Sequence, residues 1–261
     1  MTGTVDFNEA TAAMLERTYQ TPDVLGQRAR FHQLLGLKPG DRVLDVGVGP
    51  GLLAREMAET VGEQGKVCGI DQSEPMLDMT RKRCADLEQA DFVQADACDL
   101  PYPDASFDAV VSTQVYEYVP DMERALTEAA RVLEPGGRIQ ILDTDWDSTV
   151  WSTRNPQRMR KIMDAWDEHL YDPHLPTTLG PRLEQAGFRV CAREVIPLVN
   201  PTFQKNCYSY SISSAIRNFV KGRGGISDEE AQAWRREFLD LDEEGAYFFS
   251  LNRYIFAGIK R

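Results

Sequence analysis

The run Asp45-Val46-Gly47-Val48-Gly49-Pro50-Gly51 constrains this chain more than any other stretch. It continues Arg42-Val43-Leu44, so a short apolar, β-branched strand passes directly into a glycine-rich turn. Beyond the turn, Leu52-Leu53-Ala54-Arg55-Glu56-Met57-Ala58 consists of good helix formers. A strand feeding a helix through such a turn is the opening of a βαβ unit. Glycine there lets the backbone approach a ligand and take up positive φ.

The unit repeats. A second strand at 66–71 is followed by Ser73-Glu74-Pro75-Met76-Leu77, where Ser73 suits an N-cap and Pro75 a first helical turn. Further strands are expected at 92–96, 107–112 and 138–143, with Asp121 capping a helix over 122–133 that ends at Pro135-Gly136-Gly137. Strands alternating with helices at this spacing predict a parallel sheet covered on both faces. After Asp143 come a helical segment near 155–170, a proline-rich stretch over 171–176, a helix over 179–186, a sixth strand over 188–195 and a last one over 254–259. A helix near 209–221 and a capping box, Ser227 with Glu230, ahead of a helix over 231–241 lie between the last two strands and are read as a lid.

The expected architecture is therefore α/β: a doubly wound, mostly parallel, seven-stranded Rossmann-like sheet. Its domains are an N-terminal helical cap (1–36, interrupted at Pro22), a ligand-binding core (37–199), a lid (200–250) and a final core strand (251–261).

At 261 residues, with 42% hydrophobic side chains, the chain has material for one large core. Its net charge of -12 argues against nucleic acid as partner and against an acidic membrane surface. No run of about 18 apolar residues is present, and Met1 to Phe7 lacks the basic and apolar regions of a signal peptide. The five cysteines are scattered without a C-x-x-C pair, which suits reduced thiols and a cytoplasmic location.

Charge narrows the ligand. A glycine turn alone could serve a dinucleotide, but the dinucleotide fingerprint needs glycine at position 52, where this chain has Leu52. Asp45, ahead of the turn, would repel a pyrophosphate and suits an ammonium group. Asp71 closes the second strand, where an acid can accept from both ribose hydroxyls. Asp96-Ala97 closes the third, where a carboxylate can accept from an exocyclic amine of adenine. All three acids fall on the carboxyl edge of the sheet, where open α/β sheets bind ligands.

The segment 43–51 resembles the first motif of the class I S-adenosylmethionine-dependent methyltransferases, in their ubiquinone/menaquinone-methyltransferase-like small-molecule branch, with Val48 where cysteine is common. Gly69-Ile70-Asp71-Gln72-Ser73-Glu74-Pro75-Met76-Leu77 is similar to the ribose motif of that family. Asp96-Ala97 with the run 100–108 is similar to its adenine motif, and Arg131-Val132-Leu133-Glu134-Pro135-Gly136-Gly137 to its signature before the fifth strand. The resemblance is close over 19–143 and loose beyond. It implies S-adenosyl-L-methionine as cofactor, with Gly47, Gly49 and Gly51 along the methionine part and Asp45 on its ammonium group. It also implies Asp71 on ribose, Gln72 and Met76 on the adenosine, Asp96 and Ala97 on adenine, and Gln114 near the sulfonium. Tyr19 stands where relatives close an aromatic over the cofactor. The histidine that relatives often carry after the fourth strand is missing, the run there being Tyr116-Glu117-Tyr118.

Methyl transfer from a sulfonium needs alignment, exclusion of water and, for a phenol or enol, a base. Candidate bases are Glu117, Asp143, Asp145, His169 and His174. The Asp-Asn pair of metal-dependent catechol-type enzymes is missing, so no metal is expected. Aromatics crowd the lid (Phe203, Tyr208, Tyr210, Phe219, Trp234, Tyr247, Phe248, Phe249), some as core and others as walls for a flat acceptor. Arg217, Lys221, Arg223, Arg235 and Arg253 read as a solvated face or as contacts for an anionic substrate. The expected function is methyl transfer to oxygen or nitrogen of a small aromatic metabolite. The alternatives are C-methylation of a quinone precursor, or a cofactor-binding protein that transfers no methyl group, such as a cyclase, sensor or subunit. The expected partner is a small-molecule substrate. The oligomeric state stays open, a homodimer being one option.

Overall fold

Val43 and Leu44 face opposite sides of one strand, and the layers of the fold follow from that alternation. The computed structural model describes residues 9–261; the first eight positions, with the stretch read for a leader, lie outside the described residues. Strands β1 (Arg42–Val46), β2 (Lys66–Asp71), β3 (Ala90–Gln94), β4 (Phe107–Thr113) and β5 (Leu133–Thr144) run parallel in the order β3-β2-β1-β4-β5. Val43 pairs with Val67 and Ala109, and Asp45 with Gly69 and Val111.

Helices α2 (Pro22–Leu35), α3 (Leu52–Val61) and α4 (Glu74–Arg83) cover one face, where Phe31, Met57 and Leu77 pack with Val43, Val67, Ala109 and Leu142. On the other face α5 (Met122–Val132) and α7 (Pro176–Gln185) bring Leu126 and Leu183 against Leu44, Cys68, Val110 and Ile141. These side chains are essentially without solvent contact. Each fully buried one contributes about 1.5–3 kcal/mol, which is why the central strands read as unbroken apolar runs. The caps fall where the sequence places them: Ser73 accepts from the Met76 N–H at 3.4 Å, Asp121 from Arg124 at 3.1 Å and Ser227 from Glu230 at 3.1 Å. Helix α7 starts at Pro176, earlier than expected, because proline's missing N–H is harmless in a first turn. The Pro135-Gly136-Gly137 segment lies inside the span of β5, where pairing with β4 shifts register, so β5 begins before the expected strand.

Strand β8 (Phe249–Lys260) runs antiparallel between β5 and β7 (Phe188–Asn200), setting Arg253 opposite Thr144 and Ile196. Both strands are longer than expected. The two-residue β6 (Val150–Trp151) continues the edge of β8 that β5 leaves, adding an eighth strand to the seven expected. Helices α1 (Glu9–Thr18), α6 (Pro156–Asp167), α8 (Tyr208–Val220) and α9 (Asp228–Glu243) complete the described elements. A separate apolar cluster joins α6, α8 and α9 to β6 and the near ends of β7 and β8. Trp151 stacks on Phe238 with ring centres 4.6 Å apart and meets Trp234 and Phe249 edge-on. Phe203, Tyr208, Trp234, Tyr247 and Phe249 are buried in this cluster, whereas Phe248 is exposed. No helix among the described residues is long and apolar enough to cross a membrane.

Candidate functional site

Asp45 is the penultimate residue of β1, just before the turn, and is 2% exposed. Its Oδ1 has no hydrogen-bond partner among the described residues. Burial, reinforced by the charge of Asp71, pushes its pKa up to about 7. A buried carboxylate in this state is costly until a cation meets it.

The turn that follows is held from several sides. Gly47 has φ +74°, and a Cβ there would lie 2.2 Å from Val115 Cγ2. The Gly49 N–H donates to the Asp71 carboxylate at 2.9 Å, and Thr80 Oγ1 donates to the Gly49 carbonyl at 2.6 Å. Asp71 also accepts from the Ser73 N–H at 2.9 Å, and burial raises its pKa against the pull of these bonds.

A cavity of about 510 Å³ opens along this edge. Asp45, Gly47, Gly49 and Asp71 line it, with Gln72, Met76, Asp96 and Ala97 at one end and Tyr19 and Gln114 at the other. Of the residues expected at the cofactor, Gly51 alone is not part of the wall; it caps α3 and packs on Thr80. Asp96 accepts from Gln72 Nε2 at 3.0 Å and from the Cys98 N–H at 2.7 Å, which fixes that end. Gln114 holds φ +59°, rare for a residue with a Cβ. Its Oε1 accepts from Thr144 at 2.7 Å, while its Nε2 is buried without a partner among the described residues.

A second cavity of about 800 Å³ adjoins the first and shares Leu15, Tyr19, Gln114, Tyr118 and Arg253 with it. Trp146, Trp166, Tyr208 and Phe219 give it aromatic walls. The candidate bases separate here. Glu117, in a 3₁₀ turn after β4, lines the cavity with Oε2 unpartnered among the described residues. Burial raises its pKa, while the Arg253 charge pulls it back. His169 also lines the cavity and stacks on Trp166 with ring centres 3.7 Å apart. Its Nδ1 meets the Trp166 carbonyl. A carbonyl only accepts, so the proton sits on Nδ1 and the lone pair on Nε2. Burial lowers the pKa of this imidazole to about 4, which keeps it neutral.

Asp143 lies beneath the wall, accepting from the Val115 N–H at 3.1 Å, and lines neither cavity. Nor do Asp145 and His174, which pair with each other at 3.1 Å. With Asp147 these two place their ligand atoms within 4.8 Å of one another, a grouping off both cavities.

Several wall residues escape sequence reasoning. Gln27 and Arg28 of α2 line the first cavity, Arg28 donating to Glu56 at 2.8 Å and to the Tyr19 carbonyl at 3.0 Å. Their signal was a polar pair on a helix read only as a cap. The five cations read together from the sequence also part company. Arg217 pairs with Asn218, Arg235 sits over the Tyr210 ring, and Lys221 and Arg223 reach the second cavity. The solvated reading is corrected for Arg253: it is 2% exposed, because β8 is an interior strand and Tyr208 covers the guanidinium.

Comparison with known proteins agrees with this geometry. A family model described as a methyltransferase domain matches residues 44–141. The chain is 34% identical over 184 residues to a demethylmenaquinone methyltransferase of Lactobacillus johnsonii, covering 63% of this chain and 74% of that protein. It is 40% identical over 228 residues to an uncharacterised 37.1 kDa transposon protein of Streptomyces fradiae, covering 85% of this chain and 63% of that one. Against further quinone methyltransferases the match spans 46–51% of their length. Among solved structures, a putative methyltransferase of Bacillus halodurans shares the fold with a TM-score of 0.62 at 22% identity, over 90% of this chain and 99% of that one.

The chain belongs to the class I S-adenosylmethionine-dependent methyltransferases. Their cofactor is S-adenosylmethionine, and the first cavity fits it on two counts. The unpartnered Asp45 oxygen suits an ammonium group, and the cradle at Gly47 has no room for a side chain.

Proposed function

We propose that this chain transfers the methyl group of S-adenosylmethionine to an oxygen or nitrogen of a small, flat acceptor held in the second cavity. The observation that carries the reading is the wall common to both cavities, made by Leu15, Tyr19, Gln114, Tyr118 and Arg253. A nucleophile and a methyl donor in adjoining chambers can meet in line across it.

In this reading Asp45 binds the cofactor's ammonium group and Asp71 its ribose hydroxyls. Gln72 and Met76 border the adenosine, and Asp96 and Ala97 contact adenine. Gly47 and Gly49 bring backbone against the methionine part, with Gln114 and Tyr19 at the reacting end. When bound, the sulfonium supplies an activated methyl group. Glu117 accepts the acceptor's proton on Oε2, its raised pKa bringing it toward the range where a base works best. His169 is too weakly basic to take a phenolic proton, so its Nε2 orients the acceptor by accepting a hydrogen bond. Trp146, Trp166 and Phe219 exclude water and suit an aromatic ring.

Calorimetric titration with S-adenosylhomocysteine tests the cofactor site. Incubation of methyl-labelled cofactor with a metabolite extract, followed by mass spectrometry, then identifies the acceptor. Cofactor binding without any labelled small molecule would overturn the transferase reading.

Methyl transfer to carbon of a quinone-type precursor is the second reading, favoured by the demethylmenaquinone methyltransferase relative. Glu117 would then ionise an enol, and the product would carry its label on carbon.

A further inference from the structure

Two buried donors on the shared wall have nothing to bind among the described residues: Nε of Arg253 and Nε2 of Gln114. Arg253 Nη1 donates to Gln27 at 2.6 Å, and the guanidinium lies 4.8 Å from the centre of the Tyr208 ring. Neither contact supplies a counter-charge, and Glu117 and Asp143, the acids that feel the Arg253 charge, are held toward their neutral forms by burial. Among the described residues no carboxylate oxygen lies within 4.0 Å of its nitrogens. A buried cation left this way costs several kcal/mol, which an anion of matching geometry offsets.

The rest of the second cavity points the same way. In a chain of net charge -12, the described residues of its lining include three cations, Lys221, Arg223 and Arg253, against one carboxyl group, Glu117. Asp143, the other acid near Arg253, lies outside both cavities. The lining thus runs against the charge of the molecule as a whole.

We infer that Arg253 Nε and Gln114 Nε2 form a two-donor seat for a carboxylate carried by the methyl acceptor, an inference that rests on the methyl-transfer reading. Two N–H donors suit the two oxygens of one carboxylate. The cofactor brings a carboxylate of its own, and Arg28, which lines the first cavity and not the second, is a cation on that side with Nη2 not engaged by Glu56 or the Tyr19 carbonyl. Arg253 and Gln114 open on the acceptor side as well. With Glu117 facing the same chamber, the seat selects an aromatic acid that also bears a hydroxyl or amino group.

The test titrates naphthoate and its neutral counterpart naphthamide into protein saturated with S-adenosylhomocysteine. Naphthoate is expected to bind at least about tenfold tighter than naphthamide. Arg253→Gln removes that preference, Arg253→Lys keeps part of it, and S-adenosylhomocysteine affinity stays within about twofold of wild type in both. Retained S-adenosylhomocysteine binding also shows that the variants are folded. Equal binding of the two probes to wild type would overturn the seat, as would a preference that survives in Arg253→Gln. Loss of S-adenosylhomocysteine affinity in Arg253→Gln would reassign the arginine to the cofactor's carboxylate. Wild-type protein that fails to bind S-adenosylhomocysteine at all would remove the transferase reading, and the seat with it.

Discussion

The Glu117 carboxylate raises the proton affinity of Asp143, and both groups are buried between the end of β4 and the end of β5. Burial is the larger cause for each, and both sit well above the ordinary carboxylate range.

That relationship fixes how stability depends on pH. Groups with raised folded-state pKa values bind protons on folding, so the stability they contribute is complete below their unfolded values and lost as pH rises through the folded ones. Asp45 adds to the same trend between its ordinary 3.8 and about 7. The urea midpoint of the cofactor-free protein should therefore fall between about pH 5 and about pH 8. Asp143→Asn, which can still accept from the Val115 N–H, should flatten the decline and stabilise the protein by ~1–2 kcal/mol near pH 8. An unfolding midpoint that climbs with pH over this range would contradict the assignment.

The contact between Gly47 and Val115 yields a second prediction. An alanine at 47 would put its Cβ 2.2 Å from Val115 Cγ2 at φ +74°. Val115 cannot retreat easily, since its N–H is held by the Asp143 carboxylate at 3.1 Å. Gly47→Ala should cost ~2–4 kcal/mol in urea denaturation and weaken S-adenosylhomocysteine binding. Adding Val115→Ala removes the overlap but leaves the left-handed backbone cost of about 1–2 kcal/mol, so rescue should be partial.

These two contacts also show which parts of the fold a sequence discloses. Strands β1 to β4, and the acids Asp45, Asp71 and Asp96 in or just beyond the first three, are written locally, in apolar runs, caps and glycine turns that need no distant partner. The place of Arg253 is not local: β8 enters the sheet from the far end of the chain and pairs Arg253 with Thr144. The flanking sequence sets Arg253 beside a strand and Arg217 on a helix, but neither context says that the Tyr208 ring covers the first guanidinium. His169 likewise faces the second cavity because Trp166, three residues before it, is docked against the distant Trp146 and both rings fold around the imidazole. Strand β6 has two residues, too few for any periodicity to register.

Asp45 supplies a third prediction. The ammonium group of the cofactor should bind its ionised form, and the free carboxyl has its pKa raised to about 7. Affinity for S-adenosylhomocysteine should then increase from about pH 6 to about pH 8, with protons released on binding at the lower pH. Calorimetry in buffers of different ionisation enthalpy reads that release directly. Asp45→Asn should lower affinity at least about tenfold and abolish the pH dependence. A variant with wild-type affinity at pH 8 would place the ammonium group elsewhere.

The base itself can be identified by how its environment tunes it. Glu117 must be ionised to take a proton, so turnover at saturating cofactor should rise with pH along a limb above the ordinary carboxylate range. Arg253 pulls that ionisation down, and removing its charge should move the limb upward. Glu117→Gln keeps the shape of the side chain and cannot accept the proton, so turnover should drop ~10²-fold or more while S-adenosylhomocysteine affinity holds. The acceptor recovered from the labelled extract serves as substrate in these assays. His169→Gln is the control: an orienting neutral imidazole should cost acceptor KM more than turnover and leave the pH limb in place. Were the limb to survive in Glu117→Gln and vanish in His169→Gln, the two roles would have to be exchanged.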